Sequence, residues 1–280
     1  MNNQPTFSIV TPTYNRAYIL ANAIKSVTNQ TYKQWELIII DDGSTDITKN
    51  LVQNFHDERI KYIFQKNAGP STARNNALSV AKGEWVAYID SDNEFYPSYL
   101  EIMLDWIKKN PGKLYILPKV HKTLDLVENE KVIKSIDVSG EDYPSNLSVK
   151  DIFMRRIHFD GNGFVHSRKI IEAGIFWDKN LMRMEEWEFA MRIANKFPEA
   201  FLYVPTTLMD YHQRFGGDGV VSNTTYEQWA EAFEYIYQKV KDFSLLKGQK
   251  WYPDRIQKYQ KLAKEYKEGK VPPPYLRYFV

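Results

Sequence analysis

Trp85-Val86-Ala87-Tyr88-Ile89-Asp90-Ser91-Asp92-Asn93 is an apolar run that ends in two carboxylates one residue apart. Val86–Ile89 has the length and the β-branched, aromatic content of a buried strand. Asp90 and Asp92 therefore stand where the strand gives way to a loop, and the one-residue spacing lets both reach one small target. Paired carboxylates at the carboxyl end of an α/β strand suit a hard divalent cation shared with a diphosphate. An aspartate-rich turn that caps the next helix is the plain alternative, and for an isolated Asp-x-Asp it is the commoner one.

The neighbouring segments repeat one pattern. Phe7–Thr11 reads as a strand followed by the loop Pro12-Thr13-Tyr14-Asn15-Arg16, and Leu20, Ile24 and Val27 then recur at helical spacing. Glu36–Ile40 is nearly all apolar, as a strand buried on both faces should be, and it runs into Asp41-Asp42-Gly43-Ser44-Thr45-Asp46. Ile60–Phe64 is a third strand. Gly69-Pro70-Ser71 opens a helix bearing Ala73, Ala77, Leu78 and Ala81, and Gly83 closes it. Strand and helix alternating with short connections predict an α/β fold with a mostly parallel sheet between helices. Past the helix with Leu100, Leu104 and Ile107, Leu114–Leu117 reads as a strand, and 119–148 as a hairpin or variable loop. A helix near 149–156, a turn at Gly161-Asn162-Gly163, a helix around 185–195 and a short strand at Phe201–Pro205 follow. From 224 onward Tyr226, Trp229, Phe233, Tyr237 and Val240 form an aromatic helical stripe, expected to dock on the main domain, before a Lys/Tyr-rich tail. The domain expectation is 1–215 as the catalytic domain (1–110 nucleotide-binding, 111–215 acceptor-binding) and 216–280 as a flexible loop with a helical extension.

Composition narrows the chemistry. The 280 residues include 19 Tyr, 15 Phe and 7 Trp, enough for a large core, and a net charge of +2 gives no nucleic-acid footprint. With no cysteine, any metal must be held by oxygen or imidazole. No basic-then-apolar leader is visible, and no apolar stretch approaches the ~20 residues of a membrane span. A cytoplasmic protein is expected, at most peripheral at the inner face of the membrane. Neither a Gly-x-Gly-x-x-Gly nor a Gly-x-x-x-x-Gly-Lys-Ser/Thr follows a strand, which argues against dinucleotide oxidoreductases and P-loop enzymes.

Three further clusters bear on function. Arg74, one turn into its helix, has the reach to meet a phosphate or Asp90, although a helical arginine is more often a solvated surface group. Glu185, Glu186 and Glu188 crowd a helix start, where acids complement the macrodipole or supply a general base. His212 precedes Gly216-Gly217-Asp218-Gly219, an imidazole beside a glycine-rich loop with the makings of a lid.

In chain order these segments resemble a family 2 glycosyltransferase of the GT-A fold. Ser8–Arg16 is similar to the family's opening strand and loop, and Ile38–Asp46 to its second-strand signature. Gly69–Ala77 with Gly83-Glu84-Trp85-Val86 resembles its central helix and strand. Asp90-Ser91-Asp92 resembles its metal-binding Asp-x-Asp, and Glu185-Glu186-Trp187 its acidic pair ending in the catalytic base. The resemblance implies an inverting transfer from a nucleotide-diphosphate sugar, UDP-linked above all, to a glycan or lipid-linked glycan. Asp42 would contact the nucleobase, and Thr11, Pro12 and Tyr14 would line the nucleoside pocket. Arg16, Arg74, Asp90 and Ser91 would face the rest of the donor. Asp92 would hold Mn2+ or Mg2+, for which His212, from its place beside the glycine-rich loop alone, is a candidate further ligand to metal or phosphate, and Glu186 would take the acceptor proton, with Glu185 and Glu188 as rivals. The family usually carries Asp where this chain has Glu186, which leaves a non-catalytic nucleotide-sugar-binding subunit as the alternative. The C-terminal extension is the segment expected to meet a membrane or a second copy.

Overall fold

The computed structural model describes residues 4–139, 143–153, 163–216, 224–243, 246 and 250–274. Its elements run β1 (Phe7–Thr13), α1 (Ala17–Thr28), β2 (Trp35–Asp41), α2 (Thr48–Gln53), β3 (Ile60–Phe64), α3 (Pro70–Val80), β4 (Trp85–Tyr88), β5 (Glu94–Phe95) and α4 (Tyr99–Lys109). There follow β6 (Tyr115–Glu128), β7 (Lys131–Asp137), α5 (Val149–Phe153), β8 (Val165–Ser167), α6 (Lys169–Glu172), α7 (Glu185–Lys196), β9 (Phe201–Phe215), α8 (Tyr226–Val240) and α9 (Trp251–Lys267).

Among the described residues the strands form one nine-stranded sheet in the order β3-β2-β1-β4-β8-β6-β9-β5, with β7 pairing β6. The first four strands are parallel, whereas β8 runs antiparallel to β4 and to β6, β5 to β9, and β7 to β6. The chain builds outward from β1 to β3 and then crosses back to set β4 beside β1. The loops after β1 and β4 thus diverge at a point where strand order reverses, the usual place for a ligand crevice in such sheets.

The parallel half follows from sequence. β2 is buried at all seven positions, and Ile9, Ile38, Ile39 and Ala87 are fully buried, as expected of strands covered on both faces. Two strands are longer than their apolar runs suggest: β6 extends to Glu128 and β9 to Phe215. Their distal portions are only partly buried, so short apolar runs understate them. The expected hairpin in 119–148 is β6–β7, closed by Asn129 and Glu130, both at positive φ. The Asn162 and Gly161 part of the expected turn, residues 154–156 of the expected helix, and Gly217–Gly219 of the expected lid lie outside the described residues.

The chain divides into two compact units, Met1–His121 with Ser139–Tyr211, and Lys122–Val138 with His212–Val280. In the second, α8 begins with a capping box between Thr225 and Gln228. The aromatic stripe of α8 packs on α9: Phe233 and Trp229 stack on Tyr259, and Tyr237 on Tyr252. The Lys/Tyr-rich tail is itself a helix with a buried side formed by Tyr252, Ile256, Leu262 and Ala263. None of the described helices is long and apolar enough to cross a membrane.

Gly83 sits where α3 returns to the sheet. A Cβ there would lie 2.4 Å from the Ser8 amide nitrogen and 2.6 Å from the Phe7 carbonyl carbon. Both are backbone atoms of a central strand and cannot move aside. We expect Gly83→Ala to cost roughly 1–3 kcal/mol by overpacking, read as a lowered midpoint in urea unfolding.

Candidate active site

Loops at the carboxyl ends of the parallel strands carry most of the expected donor residues. β1 and β2 run in register from Phe7 with Trp35 to Thr13 with Asp41, and the Asp42 amide continues the ladder by donating to the Thr13 carbonyl at 2.8 Å. The two loops are stitched together beyond the strands. The Asn15 amide donates to Ser44 Oγ, the Thr45 amide to Asn15 Oδ1, and the Ala17 amide to Asp46 Oδ2. Thr11 and Thr13 are buried, whereas the Tyr14 ring is 49% exposed at this end of the sheet.

Asp42 is buried and holds the entry to α3. It accepts from the amides of Ala68 and Gly69, both at 2.8 Å, and from Gln65 Nε2 at 2.6 Å. Gly69 has φ +87, a conformation that glycine adopts without a Cβ penalty, and this aims its N–H at Asp42. A carboxylate has about four lone-pair sites, so these three bonds leave Asp42 capacity for one further donor.

Arg74 is not the solvated surface group that a helical arginine more often is: it is 2% exposed. Its Nη1 meets Glu185 Oε1 at 3.2 Å, while Nη2 lies 3.3 Å from Asp90 Oδ1 and 3.5 Å from Glu186 Oε1. One guanidinium thus ties the end of β4 to the first turn of α7. Asp92, two residues on, pairs with Arg16 at 3.0 Å. Ser91 and Asn93 are buried between and beyond the two aspartates.

The three acids of α7 separate by environment. Glu188 is fully buried in a two-point contact with Arg192, at 2.7 and 2.8 Å, within its own helix. Glu185 is buried against Arg74. Glu186 keeps 15% of its side chain open. Its carboxyl is pushed up to about 8, first by burial and then by the Glu185 charge, with Arg74 pulling the other way and Asp90 adding to the rise. Met184, which precedes the helix, has φ 57, a left-handed conformation uncommon for a long side chain. Trp187 fixes the helix start by donating from Nε1 to the Ile152 carbonyl at 2.7 Å.

His212 belongs to the second unit, where its Nδ1 lies 2.8 Å from Asp125 Oδ2 and 2.9 Å from Thr123 Oγ1. Among the described residues no three His, Asp or Glu side chains stand together as a metal cage. The chemistry of Asp92 nonetheless fits Mg2+ or Mn2+, since such ions often take one or two carboxylates and complete their shell with substrate phosphates and water.

Residues 8–191 match the family described as Glycosyl transferase family 2. The chain belongs to glycosyltransferase family 2. A Campylobacter jejuni relative, named GalNAc(5)-diNAcBac-PP-undecaprenol beta-1,3-glucosyltransferase, is 30% identical over 277 residues, covering 94% of this chain and 85% of that protein. Among solved structures, S. aureus TarS 1–349 in complex with UDP-GlcNAc aligns with a TM-score of 0.67 at 16% identity, over 95% of this chain and 93% of that one. The mannosyltransferase PcManGT of Pyrobaculum calidifontis, in complex with GDP-Man and Mn2+, gives 0.57 at 14%, over 99% and 79%. The fold of this family 2 glycosyltransferase is therefore that of the GT-A enzymes.

The pairing of Arg74 with Asp90 was within reach of the sequence reading, whereas that with Glu185 was not, because Glu185 lies 111 residues away. With Arg74 removed, three carboxylates face one another beside a buried gap. We expect Arg74→Met to lose about 3–5 kcal/mol at pH 8, as when a buried ion pair loses one partner. The deficit should shrink toward pH 5, because Glu186, already raised and losing the cation that pulls it down, takes up a proton in the folded state. Urea unfolding at the two pH values measures it.

Proposed function

We propose that this glycosyltransferase moves a hexose from a UDP-sugar to a hydroxyl of a glycan carried on a polyprenyl diphosphate, with inversion and with Glu186 as the base. The observation that carries the assignment is Glu186 itself. It is the least buried of the three acids of α7, it stands 3.5 Å from the guanidinium that also holds Asp90, and its proton affinity is raised toward neutrality. A base works best when its affinity lies near the working pH. The lipid-linked acceptor is supported by the name of the Campylobacter relative, and the UDP donor by the ligand of TarS.

Each part then has a task. Tyr14 offers an exposed ring for stacking on a nucleobase, and Asp42 offers its remaining acceptor site to a base N–H. Asp92, with Arg16, would face the diphosphate, and Asp90 the ribose or donor sugar. Mn2+ or Mg2+ held at Asp92 would neutralise charge on the diphosphate. Glu186 takes the proton of the acceptor hydroxyl as its oxygen bonds to the anomeric carbon from the face opposite the diphosphate. The bond from that carbon to the diphosphate oxygen breaks in the same step, and its electron pair leaves with UDP.

A thermal-shift panel of UDP-, GDP- and dTDP-sugars with Mn2+ tests the donor, since binding to the native state raises the unfolding temperature. A rise with GDP- or dTDP-sugars alone would overturn the UDP assignment. We expect Asp92→Ala to abolish metal-dependent release of UDP while leaving the unfolding temperature of the free protein near the parent's. Glu186→Gln should bind donor normally and transfer at least 10²-fold more slowly, as loss of a general base costs. Transfer at the parent rate would move the base to Glu185.

The pH dependence follows from the same carboxyl. A base must be ionised to act, so kcat/KM should rise with pH and level off above about 8. Glu185→Gln removes a charge that raises Glu186, and its acid limb should move to lower pH in a rate profile.

A further inference from the structure

We infer that Trp177 is a positioning residue for the transfer reaction: its indole face seats the Arg74 guanidinium that bridges Asp90, Glu185 and Glu186. The inference rests on the reading of Glu186 as the base.

The contacts of Arg74 to its acids do not fix it by themselves. They measure 3.2, 3.3 and 3.5 Å, whereas charge-assisted N–H···O bonds are usually about 2.7–2.9 Å. Its Nε is buried without a hydrogen-bond partner among the described residues. A long side chain held so loosely would keep much of its rotamer freedom. Trp177 removes it. The Arg74 Cζ lies 4.7 Å from the centre of the indole ring, well within the ~6 Å over which a cation is drawn to an aromatic face.

Trp177 is itself fixed from α3, β4 and α7. Asn75, next to Arg74 on α3, clamps its backbone from both sides: the Trp177 amide donates to Asn75 Oδ1 at 2.9 Å, and Asn75 Nδ2 donates to the Trp177 carbonyl at 2.8 Å. Phe189, one turn beyond Glu185 on α7, stacks on the indole with ring centres 4.5 Å apart and planes at 8°. Tyr88, two residues before Asp90, accepts a hydrogen bond from Trp177 Nε1 at 3.0 Å. The Tyr88 hydroxyl in turn lies 2.9 Å from His166 Nε2, and His166 Nδ1 lies 2.9 Å from the Ser167 carbonyl. That carbonyl requires an N–H at Nδ1, so Nε2 accepts and the chain of donors runs one way from indole to backbone. Burial lowers His166 to about 4, which keeps it neutral wherever the enzyme works. The indole thus cannot turn without breaking contacts to α3, β4 and α7 together.

The charged and titratable groups around Glu186 are Arg74 on α3, Asp90 after β4, Glu185 on its own helix, and the Tyr115 phenol on β6. Arg74 is the single cation in this set among the described residues, so its position bears on how readily Glu186 gives up its proton.

The test needs no substrate. In protein carrying 13C-labelled glutamate, the Glu186 side-chain signal is assigned by its loss in Glu186→Gln, and its titration midpoint is measured by NMR. Trp177→Leu, which removes the aromatic face, should raise that midpoint by about one pH unit, a tenfold gain in proton affinity. Trp177→Phe, which keeps a face, should restore it to within a few tenths. An unchanged midpoint in folded Trp177→Leu, or an equal rise in the Phe variant, overturns the inference. Should Trp177→Leu fail to fold, Asn75→Ala, which frees the Trp177 backbone, should shift the midpoint in the same direction, and no shift there overturns it. Failure of the base reading is separate: it would appear as Glu186→Gln transferring sugar at the parent rate.

Discussion

One buried cation holds three carboxylates, and the site depends on that imbalance. Arg74 brings Asp90 and two glutamates of α7 within 3.5 Å of its guanidinium. Burying charge is costly unless it is neutralised, and among the described residues this one guanidinium faces three carboxylates. Some of the deficit is met by keeping a proton on an acid, and Glu186 is where it falls. Arginine suits this position because its planar fork can address several acceptors and its face can lie on an aromatic ring, neither of which an ammonium does as well. The same group that joins two distant segments therefore also sets the acidity of the residue between them.

The opposite end of the parallel sheet shows what a balanced network looks like. Glu36, at the start of β2, is as buried as Asp42. It accepts from Ser8 Oγ, from the Lys82 amide and from Lys61 Nζ, all at 2.6 Å or less. Burial works to raise its carboxyl, but these donors together hold it below the ordinary value. Every partner is present, and the network fastens β1, β2 and the turn at Gly83. At the carboxyl ends, Asp90, Glu185 and Glu186 share a donor that none of them holds closely. A fully satisfied network stabilises; a partly satisfied one leaves groups ready to bind something else.

The parallel half of the fold was legible because β1, β2 and β4 are short apolar runs buried on both faces, β3 a partly buried edge strand, and each is punctuated by glycine, proline or aspartate. β6 and β9 were legible only at their starts, since their distal halves are partly exposed and carry charges such as Lys122 and Asp210. The stripe on α8 was legible as a stripe, but its partner was not. α9 carries Lys258, Lys261, Lys264 and Lys267 on exposed positions, and its mean polarity conceals a buried edge of Tyr252 and Leu262. At the site, Asp42, Asp90, Asp92 and the acids of α7 could be named from local motifs. The contacts of Arg74 with the α7 acids and the part of Trp177 were not legible, because what matters about them is a neighbour far along the chain.

The separation of Glu185 from Glu186 can be followed to the backbone. Acids in the first turn of a helix are normally stabilised as anions by the macrodipole, typically by 0.3–1 kcal/mol, up to about 2 in partly buried geometries. Glu186 instead has its affinity raised from near 4.5 to about 8, and each decade corresponds to ~1.4 kcal/mol, so burial and its neighbours outweigh the dipole. Met184 enters the helix in a left-handed conformation, and the next residue, Glu185, turns onto Arg74 and is 7% exposed. Successive helical residues point about 100° apart, so with Glu185 committed to the guanidinium, Glu186 lies to one side of it and keeps an open edge. A strained residue at a helix start thus decides which of two adjacent, chemically identical acids is spent on structure and which is left to take a proton.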